Sequence, residues 1–203
     1  MKDINPQNGN AWHGIGWSFS HLNQGVEAVA ALERAVQIAP QLSRARFELA
    51  ESYFKQHRFR EALTQIQEYL ELQPGDPAGH HALAMAYCEL GEFGCAVSPL
   101  LSTLEIGPEF GEVYAELAGV YCELKEFEKA EEAYENAIRL EPNCVEYYCW
   151  LAALFLRFGK KDEARRTVCH ALRTDSASAN EWLKSADPAL APDFADLLGP
   201  PAS

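Results

Sequence analysis

The chain is 203 residues long, 48% apolar and strongly acidic, with 30 carboxylate side chains against 17 basic ones and a formal net charge of −13. Phosphate backbones are bound through basic stripes, so this balance excludes nucleic acid as the expected partner. No run of about 18 apolar residues occurs to cross a bilayer, and the N-terminus lacks a basic-then-apolar leader, so neither a membrane span nor a secretory signal is expected.

In chain order, residues 2–6 read as the last turn of a helix, with Ile4 as its apolar position and Pro6 as its stop. Pro6 opens a series, because Pro40, Pro74, Pro108 and Pro142 follow at steps of 34 residues. A fixed period this short marks one small supersecondary unit repeated and stacked, a solenoid and not a single globular core. Ending each unit two residues after its proline gives units 9–42, 43–76, 77–110, 111–144 and 145–178 with no insertion or deletion. Together they are expected to form one elongated domain. Residues 1–8 are expected to be the end of a preceding repeat or an N-terminal extension, so that the chain is expected either to be cut from a longer array or to begin with a remnant of one.

Positions four, seven, eight and eleven of the units read Trp12, Ile15, Gly16, Phe19; Arg46, Leu49, Ala50, Tyr53; His80, Leu83, Ala84, Tyr87; Tyr114, Leu117, Ala118, Tyr121; and Tyr148, Leu151, Ala152, Phe155. Steps of three, one and three place all four on one face of an α-helix. Position eight is always Gly or Ala, small enough to let a second helix approach closely. That second helix shows at positions 20, 24 and 27, for example Ala28, Leu32 and Ala35, or Ala130, Tyr134 and Ala137. Short turns such as Leu90-Gly91-Glu92 and Phe158-Gly159-Lys160 join the two, with Gly suited to a left-handed cap. Phe59, Phe93 and Phe127 open the second helix of the inner units, and the proline ends it. Arg46 and His80 replace a large apolar residue at position four and are expected to pack their stems while their polar ends stay near solvent.

After the fifth unit, Ser178 and Glu181 have capping-box spacing and Trp182 falls at position four of an incomplete sixth unit, so 179–203 reads as a capping helix and tail. Asp187-Pro188 and Ala191-Pro192 break that helix. Phe194, Leu197 and Leu198 then make a short apolar turn, either packed down or docking on a partner.

These residues, from Trp12 through Gly16 and Phe19 to Ala28 and Pro40, resemble the tetratricopeptide repeat, whose consensus has Trp, Leu, Gly, Tyr, Ala, Phe and Pro at these offsets. The resemblance covers 9–178, with the fifth unit degenerate because Ser176 stands where its proline would be. It implies an all-α, right-handed α-solenoid of stacked antiparallel helical hairpins, five repeats plus a C-terminal capping helix. It also implies a concave groove lined by the first helices, whose binding positions fall at His13, Trp17, Arg44, Phe47, Glu51, Phe54, Lys55, His81, Met85, Cys88, Glu89, Cys122, Glu123 and Arg157. Among these, Trp17, Phe47, Phe54 and Met85 lie outside the consensus core. They are either anchors for an apolar or aromatic peptide side chain or filler for the seams between hairpins.

Many members of that family grip acidic chaperone tails with a clamp of Lys, Asn, Asn, Lys and Arg. In the register of that clamp this chain offers His13, Trp17, Glu48, Ala78 and Ala82; or Phe47, Glu51, Ala82, Glu112 and Glu116; or His81, Met85, Glu116, Glu146 and Trp150. No frame has it, and several positions are acidic, which repels a carboxylate. By unit the formal charges run −1, −1, −4, −6 and +2. The glutamates of the fourth unit are either a solvated helix face or a surface for a basic partner.

The six cysteines, Cys88, Cys95, Cys122, Cys144, Cys149 and Cys169, have neither zinc nor disulfide spacing and suit tight helical seams in a reducing, cytoplasmic setting. No phosphate loop, metal-ligand pair or nucleophile signature appears, so no catalytic residue, metal or cofactor is expected. The expected function is a protein-protein interaction scaffold that binds a basic or apolar-aromatic segment. The alternatives are a self-assembling homo-oligomeric platform, or the targeting domain of a larger protein.

Overall fold

The computed structural model describes residues 7–107 and 110–185, which contain eleven α-helices and no strand. They fall into two compact units, Met1–Pro108 and Glu109–Ser203. Ile4 and Pro6, and the apolar turn at Phe194, Leu197 and Leu198, lie outside the described residues.

The first unit holds α1 (Gly9–His21), α2 (Gly25–Ile38), α3 (Ser43–Lys55), α4 (Phe59–Leu72), α5 (Pro77–Glu89) and α6 (Phe93–Ile106). Each helix packs on the next, with the closest association inside the pairs α1–α2, α3–α4 and α5–α6. Turns of three residues leave no other option than antiparallel neighbours. The second unit holds α7 (Gly111–Glu123), α8 (Phe127–Leu140), α9 (Val145–Arg157), α10 (Lys161–Thr174) and α11 (Ser176–Ser185). It repeats the pattern in α7–α8 and α9–α10, and α11 lies against both α9 and α10. The odd helices α1 to α9 begin 34 residues apart, as do the even helices α2 to α10.

Close approach within a hairpin follows from position eight. Gly16, Ala50, Ala84, Ala118 and Ala152 are all buried, and so are the position-20 alanines Ala28, Ala62, Ala96, Ala130 and Ala164. At Gly16 even a methyl group has no room, because a Cβ there would lie 2.5 Å from Leu32 Cγ. In the first unit the core gathers Val29, Leu32, Leu49, Tyr53 and Ile66, with Phe54, Leu63 and Leu83 against it. In the second, Tyr134, Tyr147, Leu151, Phe155 and Val168 do the same, joined by Leu183 from α11.

The turns share one backbone solution. Asn23, His57, Gly91, Lys125 and Gly159 all take positive φ, between 55° and 72°. At each, the following N–H reaches back to the carbonyl five residues earlier, as in Gln24 to Phe19 and Glu126 to Tyr121, both 2.9 Å, which is a Schellman cap. Glycine therefore marks only two of the five positions that need left-handed backbone.

Two expectations are corrected. Arg46 does not end near solvent: its side chain is only 11% exposed, and its guanidinium donates to Pro40 O at 2.9 Å, to Gln65 Oε1 at 3.3 Å and to Glu68. The Ser178–Glu181 pair does not start the last helix. Asp175 caps it instead, accepting from Ala177 N at 2.9 Å and Ser178 Oγ at 2.7 Å, so α11 begins at Ser176.

Candidate functional site

In the first unit, α1, α3 and α5 carry the expected groove residues. Trp17, on α1, is 45% exposed and lies against the His21 ring with centroids 3.9 Å apart. One turn earlier His13 Nε2 meets Glu48 Oε2 at 2.9 Å, while Arg44 Nε donates to the other oxygen of Glu48 at 3.1 Å. Glu48 thus ties α1 to α3 and is itself largely covered. Arg44, Glu51 and Lys55 stay at the surface of α3, and desolvation raises the Glu51 pKa while Lys55 opposes the shift and Glu48 adds to it.

The other aromatic candidates are only half-buried. Phe47 packs on Tyr69 at 5.1 Å between centroids, and Phe54 meets Phe59 edge-on at 5.6 Å and leans on the core of Leu49 and Ile66. Met85, His81 and Cys88 on α5 are half-buried, and Glu89 is exposed. Of the four anchor candidates, Trp17 is therefore the exposed one.

In the second unit Glu123 and Arg157 are exposed and Cys122 is half-buried. Burial raises the Cys122 thiol pKa, with nearby Arg157 and a hydrogen bond from Tyr134 pulling the other way. Cys149, at position five of the fifth unit, is buried.

The same unit contains a cleft of about 570 Å³. Phe110, Glu112, Ala115, Glu116 and Gly119 form one wall, Tyr134 the floor from α8, and Glu146, Tyr147 and Trp150 the opposite wall, with Glu141 and Cys144 at one end. Trp150 is 42% exposed, its indole 5.9 Å from the Tyr147 ring and 6.4 Å from the Tyr134 ring. Glu141 accepts from the Gly111 N–H at 3.0 Å and from the Tyr147 hydroxyl at 3.3 Å, which fixes that end. One signal was readable: Glu116, Glu146 and Trp150 stand together in the third clamp register of the sequence. A search for basic clamp residues passes over that set because its charge is opposite.

Among the described residues no group of three or more His, Cys, Asp or Glu side chains is placed to hold a metal ion, and no helix is long and apolar enough to cross a membrane.

Two family models match, the tetratricopeptide repeat over residues 21–93 and the TPR repeat over 119–159. Among solved structures, the MamA protein is 20% identical with a TM-score of 0.80, over 84% of this chain and 93% of that one. YrrB, described as a TPR protein with an unusual peptide-binding site, is 12% identical with a TM-score of 0.75, over 85% and 89%. TTC0263, a thermophilic TPR protein of Thermus thermophilus, is 26% identical with a TM-score of 0.57, over 84% and 98%. A search of curated proteins found no match. The likenesses are to stacked-hairpin α-solenoids, and they establish that fold class.

Proposed function

Because this chain belongs to the tetratricopeptide repeat family, whose fold is a protein-interaction scaffold, we propose that it binds a peptide or partner segment against the first helices of its hairpins. The role is one of binding and not of catalysis. YrrB, with the same fold, is described as having a peptide-binding site, though an unusual one, which supports the reading.

The observation that carries it is Trp17, a large aromatic left 45% exposed on α1 beside the Glu48-linked polar set of His13 and Arg44. Exposed aromatics next to ordered polar groups are what interface anchors are made of. The site is not a carboxylate clamp. Glu48, Ala78 and Ala82 occupy positions where that clamp needs Asn, Lys and Arg, and none of the three has a side-chain donor to offer a carboxylate.

Selection of binders from a random peptide library on the full chain tests the proposal. Selected peptides should lose about tenfold or more in affinity on Trp17→Ala, with helicity unchanged. Peptides that bind both proteins equally would remove Trp17 from the site.

A further inference from the structure

We propose that the cleft of the second unit is a receptor for one cationic side chain, lysine or arginine, presented by a basic peptide segment. The inference rests on the peptide-binding reading only in taking its occupant from a peptide; it uses none of the Trp17 face.

The cavity and its aromatic wall come first. At about 570 Å³ the cleft falls within the range of about 300 to 1,000 Å³ usual for ligand sites. Trp150 presents its ring to this space while two buried tyrosines, Tyr134 and Tyr147, hold it from the side. An indole face attracts a cation through its quadrupole, more strongly than any other side-chain ring. A large aromatic residue left partly exposed in an otherwise packed wall is poised to be covered by a ligand.

Charge then selects the occupant. Glu112 and Glu116 lie one turn apart on α7, and Glu146 lies one turn before Trp150 on α9, so carboxylates line both walls. None of the lining residues is Lys, Arg or His. Two of the carboxylates at the cleft are anchored by neighbours, Glu141 by the Gly111 N–H and the Tyr147 hydroxyl and Glu146 by the Cys144 thiol at 3.2 Å, which fixes their place. An anionic occupant is repelled, and a neutral apolar one would strip water from the carboxylates with nothing to replace it. A bare metal ion gains nothing from the aromatic walls. A primary ammonium or guanidinium satisfies both features, giving N–H groups to the carboxylates and its charge to the indole face.

The test follows the tryptophan indole N–H resonances of the full chain by NMR, with Trp150→Phe assigning the one that matters among the four tryptophans. Acetylated, amidated tripeptides with central arginine, lysine, citrulline or trimethyllysine are titrated in. The arginine and lysine peptides should shift the Trp150 signal saturably. Citrulline, which keeps the shape without the charge, should bind at least about tenfold more weakly. Glu112→Gln with Glu116→Gln should cost the arginine peptide about tenfold, and Trp17→Ala should leave it unchanged.

Citrulline binding as well as arginine, or a Trp150 signal that never moves, overturns the proposal. Trimethyllysine binding more tightly than lysine also overturns it, since that ligand has no N–H to give the carboxylates. If the glutamine variant misfolds, the arginine and citrulline comparison on the unaltered chain still decides. Shifts at Trp17 alone would sink this site and leave the earlier reading standing, whereas cation-dependent shifts at Trp150 with library peptides indifferent to Trp17 would do the reverse.

Discussion

Arg46 Nε donates to the carbonyl of Pro40 at 2.9 Å, and its counterpart one period later, His80 Nε2, lies at the same 2.9 Å from Pro74 O. Tyr148 repeats the contact in the fifth hairpin, its hydroxyl 3.0 Å from Pro142 O. The proline that ends one hairpin therefore offers its carbonyl to position four of the next, six residues on. An Arg, a His and a Tyr are interchangeable there because each carries a donor at the end of a planar group. The consensus for an aromatic residue at this position thus conceals a requirement for a donor in these three hairpins.

Arg46 is the most constrained of the three, since the same guanidinium also serves Gln65 and Glu68. Arg46→Ala should lower stability by about 2 kcal/mol, the scale for losing charge-assisted bonds and leaving a carbonyl unpaired. His80→Tyr keeps both ring and donor and should be neutral within about 0.5 kcal/mol. Urea unfolding followed by circular dichroism measures both. An Arg46→Ala variant as stable as the parent would mean that the proline carbonyl is satisfied by water.

The Schellman turns make a second prediction. His57 and Lys125 take φ of 57° and 61°, where an L side chain is strained, while Gly91 and Gly159 occupy the equivalent places without cost. Lys125→Gly should raise stability by about 0.5 to 1 kcal/mol, and Gly91→Ala should lower it by a similar amount. His57→Gly should gain less, because the imidazole packs edge-on to Phe59 at 5.7 Å and that contact is lost. Melting temperatures rank the three. A Lys125→Gly variant that melts below the parent would refute the strain argument.

The turns also explain how far the sequence could be read. The 34-residue register carried the helices because the small residues at positions eight and 20 repeat without a gap, and burial at Ala50, Ala84, Ala118 and Ala152 bears them out. What it could not carry was anything outside the consensus. Left-handed backbone at His57 and Lys125 has no sequence mark, since the Schellman bonds are made by the main chain alone. Phe47 and Phe54 looked like Trp17 on a helical wheel, but contact with Tyr69 and Phe59 on the neighbouring helix partly covers them, and only the fold supplies that neighbour. In the aromatic wall, Tyr147 and Trp150 are three apart on α9 and share a face by periodicity, but Tyr134 comes from α8, which no single-helix periodicity brings to them.

Two glycines of α1 make a controlled comparison. A Cβ on Gly16 would sit 2.5 Å from Leu32 Cγ, in the buried seam between α1 and α2, whereas nothing lies within 4 Å of one on Gly14. Both substitutions to Ala gain about 1 kcal/mol of helix propensity. At Gly14 that gain stands alone, so Gly14→Ala should stabilise. At Gly16 overpacking costs about 1 to 3 kcal/mol and wins, so Gly16→Ala should destabilise or splay the hairpin. Opposite signs in the two unfolding midpoints are expected, and equal shifts would show that Leu32 moves aside freely.

The last helix supplies a prediction with a pH dependence. Asp175 caps α11, and its hydrogen bonds, first from the Ser178 hydroxyl and then from the Ser178 and Ala177 N–H groups, hold its pKa below the ordinary carboxylate value. A carboxylate with a depressed native pKa contributes stability above its unfolded pKa and loses it as pH falls through the native value. Docking of α11 should therefore loosen below about pH 4, near the unfolded aspartate value. Beneath it lies Cys149, packed with Val145, Tyr148, Ala171 and Ala179 and bordered by Trp182, with its thiol pushed up to about 12 mainly by burial. That shift has the opposite sense: its contribution is present below the unfolded thiol pKa near 9 and is lost as pH rises toward 12. Asp175→Ala removes the cap, so α11 should fray and Cys149 should react faster with a thiol reagent at pH 8 than in the parent, while far-ultraviolet helicity falls only slightly. Mass spectrometry of the labelled peptides separates Cys149 from the five other cysteines. Labelling of Cys149 at the same rate in both proteins would mean that Asp175 does not control the cover over this seam.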